Sequence, residues 1–243
     1  MELIIKPTEI CNFSCSFCSS SDISSSVKNL LDLDKVFDFL KRFPKTESII
    51  VNGGDPLVVD PKYYYEILDY IDKNNLKTNL SFTSNLWDFY HRPEKWKDLF
   101  RKPNVGVCTS FNYGDTRRIS KSRVYTEEDF WKVSNVFLDY IGYRPDFISV
   151  INEENENTAV DCVRLAQKMN VECKLNPAMA SGRQSSPYPL ARMYAHYLEI
   201  VKEGLTPWEF NTKEIFNSLN HKNTICPKSR NCDSNIRCIQ PDG

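Results

Sequence analysis

No run of apolar residues in this 243-residue sequence approaches the roughly 18 needed to cross a bilayer, and the opening stretch ELIIK (2–6) is too short for a signal-peptide core. The expectation is a cytoplasmic chain with no membrane partner. Net charge is nearly absent as well: 31 Lys and Arg against 32 Asp and Glu leave −1 at pH 7. No global basic field draws the chain to nucleic acid or anionic lipid. One local run, RRISKSR (117–123), is basic without an acid, and read alone it is a solvated loop. No segment recurs at a fixed length, which excludes a repeat array.

What is present is the composition of an ordinary soluble globular protein, 41% hydrophobic and 26% charged, in a chain long enough for one large core. Nine cysteines in a reducing compartment read as metal ligands or buried apolar residues rather than disulfides. Their distribution agrees with that. Cys11, Cys15 and Cys18 cluster near the front, Cys226, Cys232 and Cys238 near the end, and Cys108, Cys162 and Cys173 lie in core-like segments.

Apolar, β-branched runs at 2–6, 48–52, 78–83, 104–111, 146–152 and 171–176 read as strands. Amphipathic helical patterns lie between them. Leu33, Val36, Phe37, Leu40 and Phe43 form one stripe; Asp60-Pro61 supplies an N-cap and first-turn proline; Thr126 with Asp129 resembles a capping box; further helices are expected at about 158–169 and 190–203. Six strand–helix units imply a parallel sheet with right-handed crossovers. Six rather than eight predict an α/β fold of the partial (β/α)6, TIM-like barrel kind, open on one side.

In such folds the chemistry gathers where the strands end. The unusual residues fall there: the cysteine loop after strand one, NGGDP (52–56) after strand two, TSN (83–85), SFNYGD (110–115), NEEN (152–155) and NPAMASGR (176–183). Polar, Gly- and Pro-bearing strand ends on one rim describe a ligand cavity.

The cysteine loop, CNFSCSFC (11–18), limits what that ligand is. Structural zinc usually takes four ligands in two pairs, and here no His or fourth Cys stands nearby. A thioredoxin-type pair needs a helix after CxxC, and SSSDISSS (19–26) starts one poorly. A 4Fe-4S cube held by three thiolates keeps one iron open to a ligand. The cube is the preferred reading, with zinc and incidental buried thiols as the alternatives; the competing functional class is a non-enzymatic interaction module that binds zinc or an iron–sulfur cluster.

CxxxCxxC after the first strand, with Phe17 just before the last Cys and Gly-Gly-acid-Pro closing the second strand, resembles the radical S-adenosylmethionine (radical SAM) superfamily over about residues 1–180. The resemblance implies a 4Fe-4S cluster on Cys11, Cys15 and Cys18 whose open iron chelates S-adenosylmethionine (AdoMet). Reductive cleavage would then give a 5′-deoxyadenosyl radical that abstracts hydrogen from a substrate, so no protein group is expected to be the catalytic base or nucleophile. It also implies that Phe17, Gly53, Gly54, Asp55 and Pro56 border the cofactor, with Asp55 standing where Glu is commoner. Thr83, Asn85, Ser110, Arg123 and Asn152 are the remaining cofactor-binding candidates, with Asn155 a second choice on the fifth strand.

The segment CPKSRNCDSNIRCIQPDG (226–243) resembles the opening of a SPASM or twitch extension, ending on the IxPDG turn that opens a hairpin there. The expected organisation is a core at 1–205 and an incomplete extension at 206–243. Cys226, Cys232 and Cys238 are candidates for a second iron–sulfur cluster, while His221 reads as a surface residue. Relatives with such extensions often modify peptide or protein side chains, which is the preferred substrate class. Small molecules and nucleotides or nucleic acid are the alternatives, the last requiring the basic run and the aromatics of 82–100 to share a face. A reducing partner such as flavodoxin or ferredoxin is implied.

Overall fold

Strict alternation of buried and half-buried residues makes the strands, because successive side chains leave a strand on opposite faces. The computed structural model describes residues 1–20, 30–222 and 235–241. In β1 (Glu2–Ile5) Leu3 and Ile5 are fully buried; in β2 (Ser48–Val51) Ile49 and Val51 are; and β3 (Asn79–Thr83) buries Leu80 and Phe82. β4 (Val105–Ser110) and β7 (Phe147–Ile151) follow the same rule. β8 (Cys173–Pro177) begins later than expected from the sequence, since Asn170 adopts a left-handed conformation and Val171 closes the preceding helix. All six pair in parallel in the order β1-β2-β3-β4-β7-β8, curled into a half-barrel.

Helices cover the outer face. Asp32 caps α1 (Leu33–Arg42), which buries Val36 and Leu40, and Asp60 caps α2 (Pro61–Lys73), its carboxylate accepting the Lys62 N–H at 3.0 Å. α3 (Trp87–His91) and α4 (Pro93–Phe100) follow β3. Phe82, Phe89, Trp96 and Phe100 are packed in the core there, so these aromatics are helix packing rather than a binding platform. α5 (Glu127–Ile141) starts on the Thr126/Asp129 capping box and stops at Gly142, φ +97°. α6 (Ala159–Met169), α7 (Leu190–Lys202) and α8 (Phe210–Leu219) complete the set. None of the described helices is long and apolar enough to cross a membrane.

Two features differ from the sequence expectation. The basic run at 117–123 is not an open loop but a hairpin, β5 (Arg118–Ser120) against β6 (Arg123–Val124). The sheet also has a seventh strand, β9 (Ile236–Ile239), parallel to β1 with Cys238 opposite Ile4, so Cys238 sits on a sheet edge. The segment 206–219 packs on the barrel: buried Glu209 accepts the N–H groups of Leu175 and Asn211 at 3.1 Å, tying α8 to β8.

Candidate functional site

The strand ends enclose a cavity of about 580 Å³. Cys11, Cys15 and Cys18 stand on one wall, on a loop without regular structure that other segments hold in shape. Ser14 and Ser16 donate backbone N–H groups to the carbonyls of Arg118 and Thr116, at 2.8 and 2.9 Å, and the Cys18 N–H closes a turn on the Cys15 carbonyl. Phe13 packs between Trp87 and Tyr125. From the opposite side Arg183 donates to Ser14 Oγ at 3.1 Å and to the Cys15 carbonyl at 3.0 Å. Gly182, φ +61°, lies so close that a Cβ would meet the Cys18 carbonyl oxygen at 2.2 Å. Loop 176–183 thus straps the last core strand to the cysteine loop.

The three thiols do not converge on one point: among the described residues no group of three His, Cys, Asp or Glu side chains could hold a single metal ion. A tetrahedral zinc needs its sulfurs about 2.3 Å from one centre. Three thiol donors on one short loop are of the type that holds the irons of an iron–sulfur cluster, one thiolate to each iron. Burial pushes the Cys11 thiol well above its ordinary range, with the nearby Asp55 carboxylate adding to the effect, and burial also raises Cys18. Each must lose a proton to become a metal ligand.

The second wall is the glycine turn after β2. A Cβ on Gly53, φ +123°, would meet the Thr8 carbonyl oxygen at 2.3 Å, and one on Gly54 would meet that of Ile10 at 2.2 Å. The turn is bonded to the same stretch, Gly54 N–H to Thr8 and Asp55 N–H to Ile10, both at 2.9 Å. The glycines therefore seat β2 directly beneath the cysteine loop. Fully buried Asp55 has every acceptor engaged: Oδ1 takes the Leu57 N–H and Oδ2 the Asn85 N–H, at 2.9 and 2.8 Å, while Ser84 Oγ bridges both oxygens. Burial raises its pKa to about 6 against these bonds. Ser84, missed in the sequence, is what joins the ends of β2 and β3. Asn85 reaches back to Asn12 Oδ1 at 2.7 Å.

Of the other candidates, Phe17, Thr83, Asn85 and Ser110 line the cavity. Pro56 does not line it; it starts a buried turn and its carbonyl accepts the Tyr64 hydroxyl. Asn152 is buried outside the lining, its N–H donating to Asn155 Oδ1 at 2.9 Å and its own Oδ1 accepting the Glu154 N–H. Arg123 also lies off the cavity, on β6, paired with Asp129 at 2.6 Å and set over the Trp87 ring. Arg117 lines the cavity instead. Within a run of basic residues the sequence carried no sign of which one turns inward. Glu9 was missed too: it is fully buried, paired with Lys6 at 3.3 Å, and its Oε2 has no partner; nor has the buried Oδ1 of cavity-lining Asn52. Such orphan acceptors suit a ligand that brings donors.

Asn176, Pro177, Ala178 and exposed Met179 form the far wall with Ile148 and Val150. Cys108, Cys162 and Cys173 lie off the cavity, and burial raises the first two to about 12 and about 11. Cys238 is exposed, His221 holds a left-handed backbone at the end of α8, and Cys226 and Cys232 lie outside the described residues, as does 21–26 of the serine-rich loop.

Comparison with known proteins bears on this site. A family model described as the Radical SAM superfamily matches residues 5–166. No curated protein matches the sequence. Among solved structures, a hexahistidine-tagged anSMEcpe with bound AdoMet aligns with a TM-score of 0.73 at 16% identity, over 100% of this chain and 70% of that one. Native anSMEcpe with bound AdoMet and the Cp18Cys peptide gives 0.69 at 15% identity, over 100% and 72%. SuiB of Streptococcus suis bound to its precursor peptide SuiA gives 0.57 at 14% identity, over 98% of this chain and 48% of that one. At these identities the likeness is one of fold.

Proposed function

Because the chain belongs to the radical SAM superfamily and is an enzyme of that kind, we propose that Cys11, Cys15 and Cys18 each hold one iron of a 4Fe-4S cluster and that AdoMet binds beside it in the cavity. The observation that carries the assignment is three thiols on one short loop, seated directly on the Gly53–Gly54 turn. When bound, this pair supplies reductive cleavage of AdoMet and hydrogen abstraction by the 5′-deoxyadenosyl radical. The chain binds, orients and shields. Cavity-lining Gly53 and Gly54 expose backbone carbonyls to an amino group, and Thr83, Asn85 and Ser110 offer polar side chains around it. Asp55, saturated by its neighbours, fixes the two loops. Phe13 and Phe17 from the cysteine loop, with Ile148 and Val150 from the far wall, present apolar surface to the cavity and exclude water.

The proposed substrate is a peptide or protein side chain. The fold shared with anSMEcpe and SuiB, both solved with peptides bound, supports that class, and an electron donor such as flavodoxin or ferredoxin completes the reaction. The organisation proposed is a core at 1–205 with an extension at 206–243, in which Cys226, Cys232 and Cys238 are the ligands of any second cluster. The test is anaerobic reconstitution with iron and sulfide, followed by AdoMet and dithionite. About four irons per chain and 5′-deoxyadenosine are expected; about eight irons would add the second cluster, and bound zinc without AdoMet turnover would overturn the assignment.

A further inference from the structure

Beyond cavity-lining Arg117, the basic run at 117–123 has no part in the functional reading above. Its hairpin lies against the outer side of the cysteine loop. Cys11, Phe13, Cys15, Phe17 and Cys18 line the cavity, whereas Ser14 and Ser16 do not, and these two give their N–H groups to the carbonyls of Arg118 and Thr116 at 2.8 and 2.9 Å. The hairpin is thus bonded directly to the loop that carries the thiols, with no layer between. A second connection runs beside it. The Phe13 N–H donates to Cys11 Sγ at 3.3 Å, and the Phe13 ring meets half-buried Trp87 with centroids 6.1 Å apart. Arg123, its side chain 55% exposed, covers that indole at 5.4 Å.

The hairpin is a concentrated positive surface in a chain of almost no net charge. Residues 116–124 contain no acid. Arg123 is paired with Asp129, but half-buried Arg118 and exposed Lys121 enter no ion pair among the described residues. Glu154 is the acid bonded to this side of the loop, accepting the Ser16 hydroxyl at 3.1 Å, and Arg183 on Ser14 Oγ offsets it. Solvation alone explains a lysine at a hairpin tip; it does not explain why the cations gather on the back of the thiol loop. With AdoMet and a substrate in the cavity, an electron has to reach the cluster from this outer side. Electron-transfer encounters bury little area and are steered by charge, so a surface of this size suffices.

We propose that the β5–β6 hairpin, through Arg118, Lys121 and Arg123, is the docking surface for an acidic one-electron carrier protein that reduces the cluster. This rests on the functional reading above and names the surface its reducing partner uses. In the step one electron leaves the reduced carrier and enters the cluster, and no bond forms or breaks between the two proteins.

The experiment compares the anaerobically reconstituted chain as wild type, Lys121→Glu, and the double variant Arg118→Glu with Lys121→Glu. Arg123 is left in place because it also holds Asp129. Dissociation constants are measured at low and high salt for oxidised flavodoxin and for a short single-stranded oligonucleotide. Formation of 5′-deoxyadenosine is then timed with two reductants, reduced flavodoxin and reduced methyl viologen. Wild type should bind flavodoxin at low salt and release it at high salt. The double variant should bind it about tenfold more weakly and lose the flavodoxin-driven rate by a similar factor, with Lys121→Glu in between. The rate with methyl viologen, a small cation that needs no docking surface, should be unchanged. Equal flavodoxin affinity and rate in all three proteins, or a wild type that binds no flavodoxin, overturns the proposal. So does an equal loss with both reductants, which would make the hairpin a support of the cysteine loop and nothing more. Oligonucleotide binding lost in the variants while flavodoxin is unaffected would assign the hairpin to nucleic acid and overturns it too. No deoxyadenosine from wild type with methyl viologen overturns the functional reading, and this inference with it.

Discussion

The two sides of the cavity are built on opposite principles. On the side made by the ends of β1, β2 and β3, most polar groups are spent on each other, Asp55 on Leu57, Ser84 and Asn85, Asn85 on Asn12, and the glycine turn on the backbone of residues 8–10, with only the acceptors Glu9 Oε2 and Asn52 Oδ1 left over. On the side made by β4, β7 and β8 less is committed: Arg117 has no carboxylate partner among the described residues, and the apolar side chain of Met179 stands 67% exposed at the rim. A wall bonded to itself is preorganised and suits one fixed guest, whereas an uncommitted wall takes its order from what it binds. Under the proposed function, the closed side would hold the cofactor and the open side would select the substrate.

The contrast breaks most completely when the thiols are removed. Changing Cys11, Cys15 and Cys18 together to Ala should abolish 5′-deoxyadenosine formation while the circular dichroism spectrum of the fold persists, because the loop is held by backbone bonds and by Arg183 rather than by the sulfurs. Deoxyadenosine made by the triple variant would refute their assignment. Next in size is Gly54→Ala. Its new methyl would sit 2.2 Å from the Ile10 carbonyl oxygen, against backbone that cannot swing aside. A cost of about 1–3 kcal/mol in thermal or urea unfolding is expected, with iron retention falling because the displaced segment runs straight into Cys11. Unchanged iron content at lowered stability would separate the turn from the cluster loop.

Much of the closed side was legible in the sequence, because it is local: each strand leads within a few residues to its motif, and CNFSCSFC and NGGDP are short enough to be read whole. The strands and their parallel order followed from alternation and spacing. What escaped depends on contacts distant in sequence. Ser84 matters only because Asp55 lies 29 positions away, and Arg117 rather than Arg123 faces the cavity because a hairpin, itself formed from a run that reads as solvated, turns the second arginine toward Asp129. The β9 strand escaped for the same reason, pairing with β1 from the other end of the chain.

Asp55→Asn sharpens the comparison without emptying the site. The amide cannot accept at both positions, so one of the N–H groups of Leu57 and Asn85 loses its partner, at a cost of about 1–3 kcal/mol. The variant also changes the pH profile. The folded carboxyl, raised by burial to about 6, binds its proton at a higher pH than the same group in the unfolded chain, near 3.8. Its contribution to stability is therefore full below about 4 and is lost as pH rises through about 6. Urea midpoints measured across that window should show this component in the wild type and lack it in Asp55→Asn; identical profiles would mean that Asp55 is not the group titrating.

The smallest effect is expected where the two sides meet. Arg183→Gln removes the bonds to Ser14 Oγ and the Cys15 carbonyl but leaves the backbone N–H of residue 183 on the Cys18 carbonyl, so stability should fall by only about 1 kcal/mol. Its consequence belongs to the loop rather than to the fold as a whole. With one clamp gone the strap opens more often, and a chelator should strip iron from the reconstituted protein several-fold faster at an almost unchanged Tm. A stripping rate equal to that of wild type would show that the backbone bond at Cys18, with Gly182 pressed against it, holds the strap shut by itself, and the open side would then be fastened as firmly as the closed one.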